Sequence, residues 1–143
     1  MNALYDFFLT PQPKDSNKTR YHARLVVRDT ITLEDIAETI ESRSSLRQSD
    51  VIGSFIEFAN VFKQELSNGN SIHIPGIGSF RIKAESPEVR SPKEIRAENI
   101  HCSGIVFTPE KDLLRELKAT TFEKVQEVRI VYNFVGEIPE ITA

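Results

Sequence analysis

Between Val51 and Leu66 the chain carries an apolar stripe that a lone surface helix does not need. Val51, Ile52, Phe55, Ile56, Ala59, Phe62 and Leu66 recur at helical spacing for about four turns. Phe58 and Val61 widen that stripe onto a second side. A surface helix covers one apolar face with its own domain, whereas a helix shared between a core and a subunit interface has two to cover. The expectation is a dimer built around this segment. The chain has 143 residues, enough for one domain with appendages and for a core without metal or disulfide staples. Its single cysteine, Cys102, excludes an internal disulfide framework and suits a reducing cytosol.

The rest of the chain sorts around this helix. Leu4–Leu9 and Tyr21–Arg28 read as a hairpin, joined by the turn-forming run from Pro11 to Lys18. Thr32 with Asp35 three residues on is a capping box for a first helix carrying Leu33, Ile36, Ala37 and Ile40. Ser42–Ser45 breaks the pattern, and Asn68-Gly69 stops the second helix. Ser71–Ile74, Ser79–Lys83 and Ile100–Phe107 read as strands, with Pro75-Gly-Ile-Gly78 as a turn. Ser86–Asn99 is a long connection with a short helix expected over 92–97. Thr108 is expected to cap a last helix, with Pro109 in its first position, Glu110 in its first turn, and Leu113, Leu114 and Leu117 facing the core. Val128, Ile130, Tyr132 and Phe134 alternate as a terminal strand. This divides the chain into an N-terminal hairpin extension (1–30), a central domain (31–118) and a C-terminal strand and tail (119–143).

Charge narrows the function classes. The net charge is −3, which argues against a polycation that coats nucleic acid by charge alone. The charge is unevenly spread: residues 1–30 carry +2, 31–68 carry −4, 69–107 carry +1 and 108–143 carry −2. Acidity sits in the helical zones, and the strand zones are neutral to basic. No run of 18 or more apolar residues is present, so no membrane span is expected. Met1–Leu9 lacks the basic start and long apolar core of a signal peptide, and a cytoplasmic location is expected.

Two motifs then become informative together. Ile72-His-Ile-Pro-Gly-Ile-Gly-Ser-Phe80 follows two helices, and Phe107-Thr-Pro-Glu-Lys111 opens a third. In this order and separation they resemble the bacterial HU and integration host factor family. Tyr21-His-Ala-Arg24 and Phe122-Glu-Lys-Val125 are similar to the Bacteroidetes branch, in which extra strands flank the HU-like part. The resemblance covers roughly residues 30–118. It implies an α+β fold, an HU-like intertwined dimer core with added antiparallel strands from both termini. It further implies a β-saddle for double-stranded DNA and two arms reaching around the minor groove.

Candidate contacts follow residue by residue. Arg81 and Lys83 share one strand face, with Ile82 between them pointing the other way, and such a face can track phosphates or simply be solvated. Arg90, Lys93 and Arg96 recur through the arm, but Glu85, Glu88, Glu94 and Glu98 are interleaved and weaken the local field. Lys111 matches the lysine of the Phe-x-Pro-x-Lys motif. Gly76 and Gly78 allow a tight turn, and the lack of a helix directly after them favours a plain turn over a phosphate cradle. Phe80 and Phe107 are expected to anchor the arm base. The arm is short and lacks an Arg-Asn-Pro tip, and the chain is acidic. These departures weigh against kinking by intercalation and leave sequence-tolerant phosphate binding.

Catalytic chemistry finds little footing. No Walker loop, Gly-x-Ser-x-Gly or HExxH is present. His22, His73 and His101 have no metal-ligand spacing, though His73 and His101 are placed on strands expected to be neighbours, with Cys102 beside one of them. Glu34, Glu38 and Glu41 share a helix face and read as solvated. The expectation is a non-enzymatic, nucleoid-associated DNA-binding homodimer without cofactor, metal or catalytic residues. The alternative is an HU-fold interaction module with a protein partner on its terminal strands and little or no DNA binding.

Overall fold

The computed structural model describes residues 1–10 and 20–126. The expected connecting loop over 11–18 and terminal strand over 128–134 lie outside the described residues. The described chain falls into two units. One draws on Met1–Thr30 and the residues from Ala119 onward; the other is Ile31–Lys118.

The first unit is a three-stranded sheet in the order β2-β1-β6, built from β1 (Ala3–Leu9), β2 (Tyr21–Val26) and β6 (Phe122–Lys124). β1 and β2 pair antiparallel from Leu4↔Val26 to Leu9↔Tyr21. β6 joins the other edge parallel to β1, with Ala3↔Phe122 and Tyr5↔Lys124. Extra strands from both termini are thus present, but β6 is parallel where antiparallel strands were expected. A hairpin would have forced the antiparallel sense; the long intervening chain between β2 and β6 leaves the parallel one open. Ala3 N–H donates to the Thr121 carbonyl and Val125 N–H to the Tyr5 carbonyl, extending the pairing by a residue on each side of β6. Among the described residues of this unit, Val125 is the buried side chain.

The second unit starts with α1 (Leu33–Arg43) and α2 (Gln48–Ser67). The capping box at Thr32 forms as expected: Asp35 N–H donates to Thr32 Oγ1 (3.2 Å), and Thr32 N–H donates to Asp35 Oδ2 (3.0 Å). The Thr32 N–H foremost, and then the Thr32 hydroxyl, which also donates to Asp35 Oδ2 (3.0 Å), hold the Asp35 carboxyl below its ordinary value. The start of α2 has no side-chain cap of its own. Glu41, on the face expected to be merely solvated, takes that role by accepting from the Gln48 N–H at 2.9 Å. Gly69 ends the helix at φ 84°.

The sheet of this unit runs β3-β4-β5, from β3 (Ile72–Ile74), β4 (Gly78–Glu85) and β5 (His101–Pro109). β4 and β5 form a long antiparallel ribbon from Gly78↔Pro109 to Glu85↔His101, with a bulge where Ser103 is the extra residue between Lys83↔Gly104 and Ala84↔Cys102. Gly78 is confined to glycine twice over. Its φ is 151°, and a Cβ there would lie 2.2 Å from the Thr108 carbonyl oxygen. The connection Ser86–Ile100 contains two separate 3-10 turns, Pro92–Glu94 and Ala97–Asn99, in place of the expected single helix. Extended backbone at Ile95 and Arg96 separates them.

α3 spans Lys111–Lys118, two residues later than expected. Thr108 and Pro109 are held in the ladder against Ser79 and Gly78, so neither can cap or enter the helix. The first helical bond runs from Leu114 N–H to the Glu110 carbonyl. Leu113 is half-buried, and Leu114 and Leu117 are exposed, so the leucines do not pack into a core of the single chain. Ala37, Val51 and Leu66 are the buried hydrophobic residues of this unit. A run of rings, Phe55–Phe58–Phe62–Phe80–Phe107, links α2 to the ribbon at centroid separations of 6.4, 5.7, 5.2 and 4.7 Å. Yet Phe58 is 44% exposed and Val61 54%.

Candidate nucleic-acid interface

The alternation of β4 decides which side chains share a face. Phe80 and Ile82 lie opposite Phe107 and Ile105 and form an apolar side. Ser79, Arg81 and Lys83 lie opposite Thr108, Val106 and Gly104 on the other side, and both cations are exposed. Lys83 Nζ is 3.1 Å from Glu85 Oε1, a solvent-exposed pair of small energetic worth. Among the described residues Arg81 has no ion pair.

The connection holds Arg90, Lys93 and Arg96, all exposed. Arg96 lies 3.7 Å from Glu98, another exposed pair. Lys111 is the first residue of α3. The structure therefore brings Arg81 and Lys83 together, but strings the other four along the ribbon. Lys111 belongs to the end marked by Gly78↔Pro109, and the connection to the end marked by Glu85↔His101. Eight residues of strand put these ends about 25 Å apart. A linear polyanion can meet cations so spaced; a small ligand cannot.

Sequence reasoning missed the residues that organise the Lys111 end. Glu110 N–H donates to the Ile77 carbonyl (3.0 Å), and Gly76 N–H donates to Glu110 Oε2 (2.9 Å). Glu110 Oε1 lies 3.1 Å from His73 Nε2, and His73 Nδ1 lies 3.1 Å from Ser79 Oγ. The Gly-x-Gly turn is thus a hairpin turn tied to a helix start. A glutamate just after proline is ordinarily a first-turn acid, and nothing local signals a partner 34 residues away.

His73 and His101 are not neighbours. β4 lies between their strands, and His101 sits opposite Glu85 at the far end of the ribbon. Among the described residues no group of three or more His, Cys, Asp or Glu side chains could hold a metal ion.

The family described as HU domain fused to wHTH, Ig, or glycine-rich motif matches residues 1–124. A crystal structure of a provisionally assigned DNA-binding protein from Bacteroides vulgatus ATCC 8482 superposes with a TM-score of 0.57 at 15% identity, covering 85% of this chain and 48% of that one. The chain thus spans about half the length of that protein. Anabaena HU, in a cocrystal with DNA, matches at a TM-score of 0.41 and 18% identity, over 62% of this chain and 97% of its own. No curated protein sequence matches. With a family match over nearly the whole described chain, and two helices, a glycine-turned ribbon and a last helix in the expected order, this chain belongs to the family of HU domains fused to other motifs.

Proposed function

We propose that this chain is a non-enzymatic, sequence-tolerant DNA-binding protein that acts in nucleoid architecture, with Ile31–Lys118 as the DNA-binding part. The observation that carries this reading is the β4 face, where Arg81 and Lys83 stand exposed on the side of the ribbon opposite its apolar packing. Arg90, Lys93, Arg96 and Lys111 extend the track in both directions. Contact is with phosphates, so affinity depends on salt more than on sequence. The name of the Bacteroides vulgatus relative supports the same reading.

The working state is a homodimer. Phe55, Ile56, Phe58 and Val61 on α2, and Ile105 and Phe107 on the ribbon, are all exposed in the single chain. A patch of that size is costly to leave in water and matches the two-sided apolar pattern of α2. No helix among the described residues is long and apolar enough to cross a membrane. The cytoplasm, on the nucleoid, is the location that follows from a DNA partner.

Fluorescence anisotropy of a labelled duplex of about 30 base pairs, titrated at several salt concentrations and repeated with a nicked duplex, tests this directly. Binding that weakens steeply with salt and tightens on the nicked duplex is expected. Absence of binding at low salt overturns it. A second reading, a protein-interaction module, draws on the first unit, where Phe7, Leu9, Tyr21, Leu25 and Phe122 stand exposed on one sheet face. It gains if DNA binding is absent.

A further inference from the structure

We propose that Glu110 is a positioning residue for DNA binding, which locks the β3–β4 turn to the start of α3 and so holds Lys111 in register with the cationic face of β4. The proposal rests on the DNA-binding reading above. Every polar group of Glu110 is engaged. Its N–H reaches Ile77, its carboxylate takes the Gly76 N–H and pairs with His73, and its carbonyl accepts the Leu114 N–H of α3. Two of these four links go to the β3–β4 turn, one goes to His73 on β3, and one goes to the helix. A residue preceding a helix ordinarily spends its side chain on the helix's own first-turn N–H groups; here it is spent across the fold.

A carboxylate only accepts, so His73 Nε2 donates to Glu110, and Nδ1 shares a hydrogen bond with the Ser79 hydroxyl, which can serve as donor or acceptor. Ser79 is on β4, two residues before Arg81 and on the same face. The relay Ser79–His73–Glu110 therefore ties the strand that carries Arg81 to the residue that precedes Lys111. It also has an electrostatic effect. A carboxylate beside Lys111 would oppose an incoming phosphate, and two N–H donors draw that charge toward the turn.

Electrostatics alone and positioning make opposite statements about two variants. Removing the charge of Glu110 should tighten DNA binding equally in E110Q and E110A if charge is all that matters. If Glu110 positions Lys111, the two diverge. In E110Q the amide oxygen still accepts from Gly76 N–H. The amide N–H donates to His73 Nε2, and the ring answers by donating from Nδ1 to Ser79. E110Q therefore retains wild-type affinity or better. E110A binds more weakly by about three- to tenfold, with a salt slope lowered by about 0.9 for each phosphate no longer neutralised.

The deciding measurement is a double-mutant cycle on DNA affinity with Lys111→Gln, at a temperature where thermal melts show each variant folded. The wild-type titration comes first: without salt-dependent binding the DNA reading fails, and this proposal falls with it. With binding present, K111Q should cost affinity in the wild-type and E110Q backgrounds and nothing further in E110A. Equal affinities of E110A and E110Q, or a full K111Q effect on top of E110A, overturn the positioning role while leaving DNA binding intact. Should E110A not fold, H73L serves in its place. His73 is exposed, its loss breaks the relay at one link, and a K111Q effect undiminished in H73L overturns the proposal in the same way.

Discussion

At the end of the β4–β5 ribbon where Gly78 faces Pro109, the chain is held by a confined glycine, a positive-φ turn at Gly76 and the four links of Glu110. At the other end, beyond Glu85 and His101, Ser86–Ile100 is held by two isolated 3-10 turns, with cations and carboxylates interleaved. Both ends carry candidate phosphate contacts. Only at the first does the fold fix the backbone of its cation before a ligand arrives. A preorganised cation binds without the entropy cost of being ordered, whereas one on a loosely tied segment loses part of its Coulombic gain to that ordering.

The largest effect that would break this comparison is at Gly78. G78A places a Cβ against the Thr108 carbonyl and forces a strained φ, and should destabilise the protein by about 3–5 kcal/mol in urea denaturation. A cost under 1 kcal/mol would mean that this end is not tightly held. Next is the cationic face. The double variant R81Q/K83Q should reduce duplex affinity roughly tenfold or more across unrelated sequences and flatten the salt slope. If the two ends differ as described, R90Q/K93Q/R96Q costs less affinity per charge removed than R81Q/K83Q. Equal costs per charge would erase the distinction. A smaller effect is expected from E85Q, which frees Lys83 from its exposed partner and should tighten binding by about twofold, the scale of such a pair.

The smallest effect serves as a baseline remote from both ends. T32A removes one half of the α1 capping box and should cost about 1 kcal/mol of stability with no change in salt slope. Its pH dependence has a definite sign. The Asp35 carboxyl is depressed in the folded state, so its contribution is fully present above the ordinary value of 3.8 and is lost as pH falls through the lower folded value. Melting temperatures of wild type and D35N, which keeps the side-chain shape and loses the charge, should therefore converge in acid and stay apart at neutral pH. A gap that persists in acid would remove the carboxylate from the explanation.

The comparison also explains which parts were legible beforehand. The capping box at Thr32, the stop at Gly69 and the turn glycines are written locally, because each satisfies a backbone demand within a few residues. The shared face of Arg81 and Lys83 follows from strand alternation alone. The start of α3 was misread because Thr108-Pro109 has the composition of a helix opening, and local preference lost to the ladder that pairs these residues with Ser79 and Gly78. The short helix expected over 92–97 failed in the same way, with extended backbone at Ile95 and Arg96 interrupting it.

By itself, then, the sequence determined the order of helices and strands from β1 to α3, the two-sided apolar character of α2 and the family, because these depend on spacing and on motifs of a few residues. Tertiary structure alone decided that β6 runs parallel to β1, that Glu41 caps a helix not its own, and that Glu110 reaches back to Gly76 and His73. Each of those depends on which distant segments meet. A side chain's partner in space is set by the packing of whole elements, and no local periodicity records it.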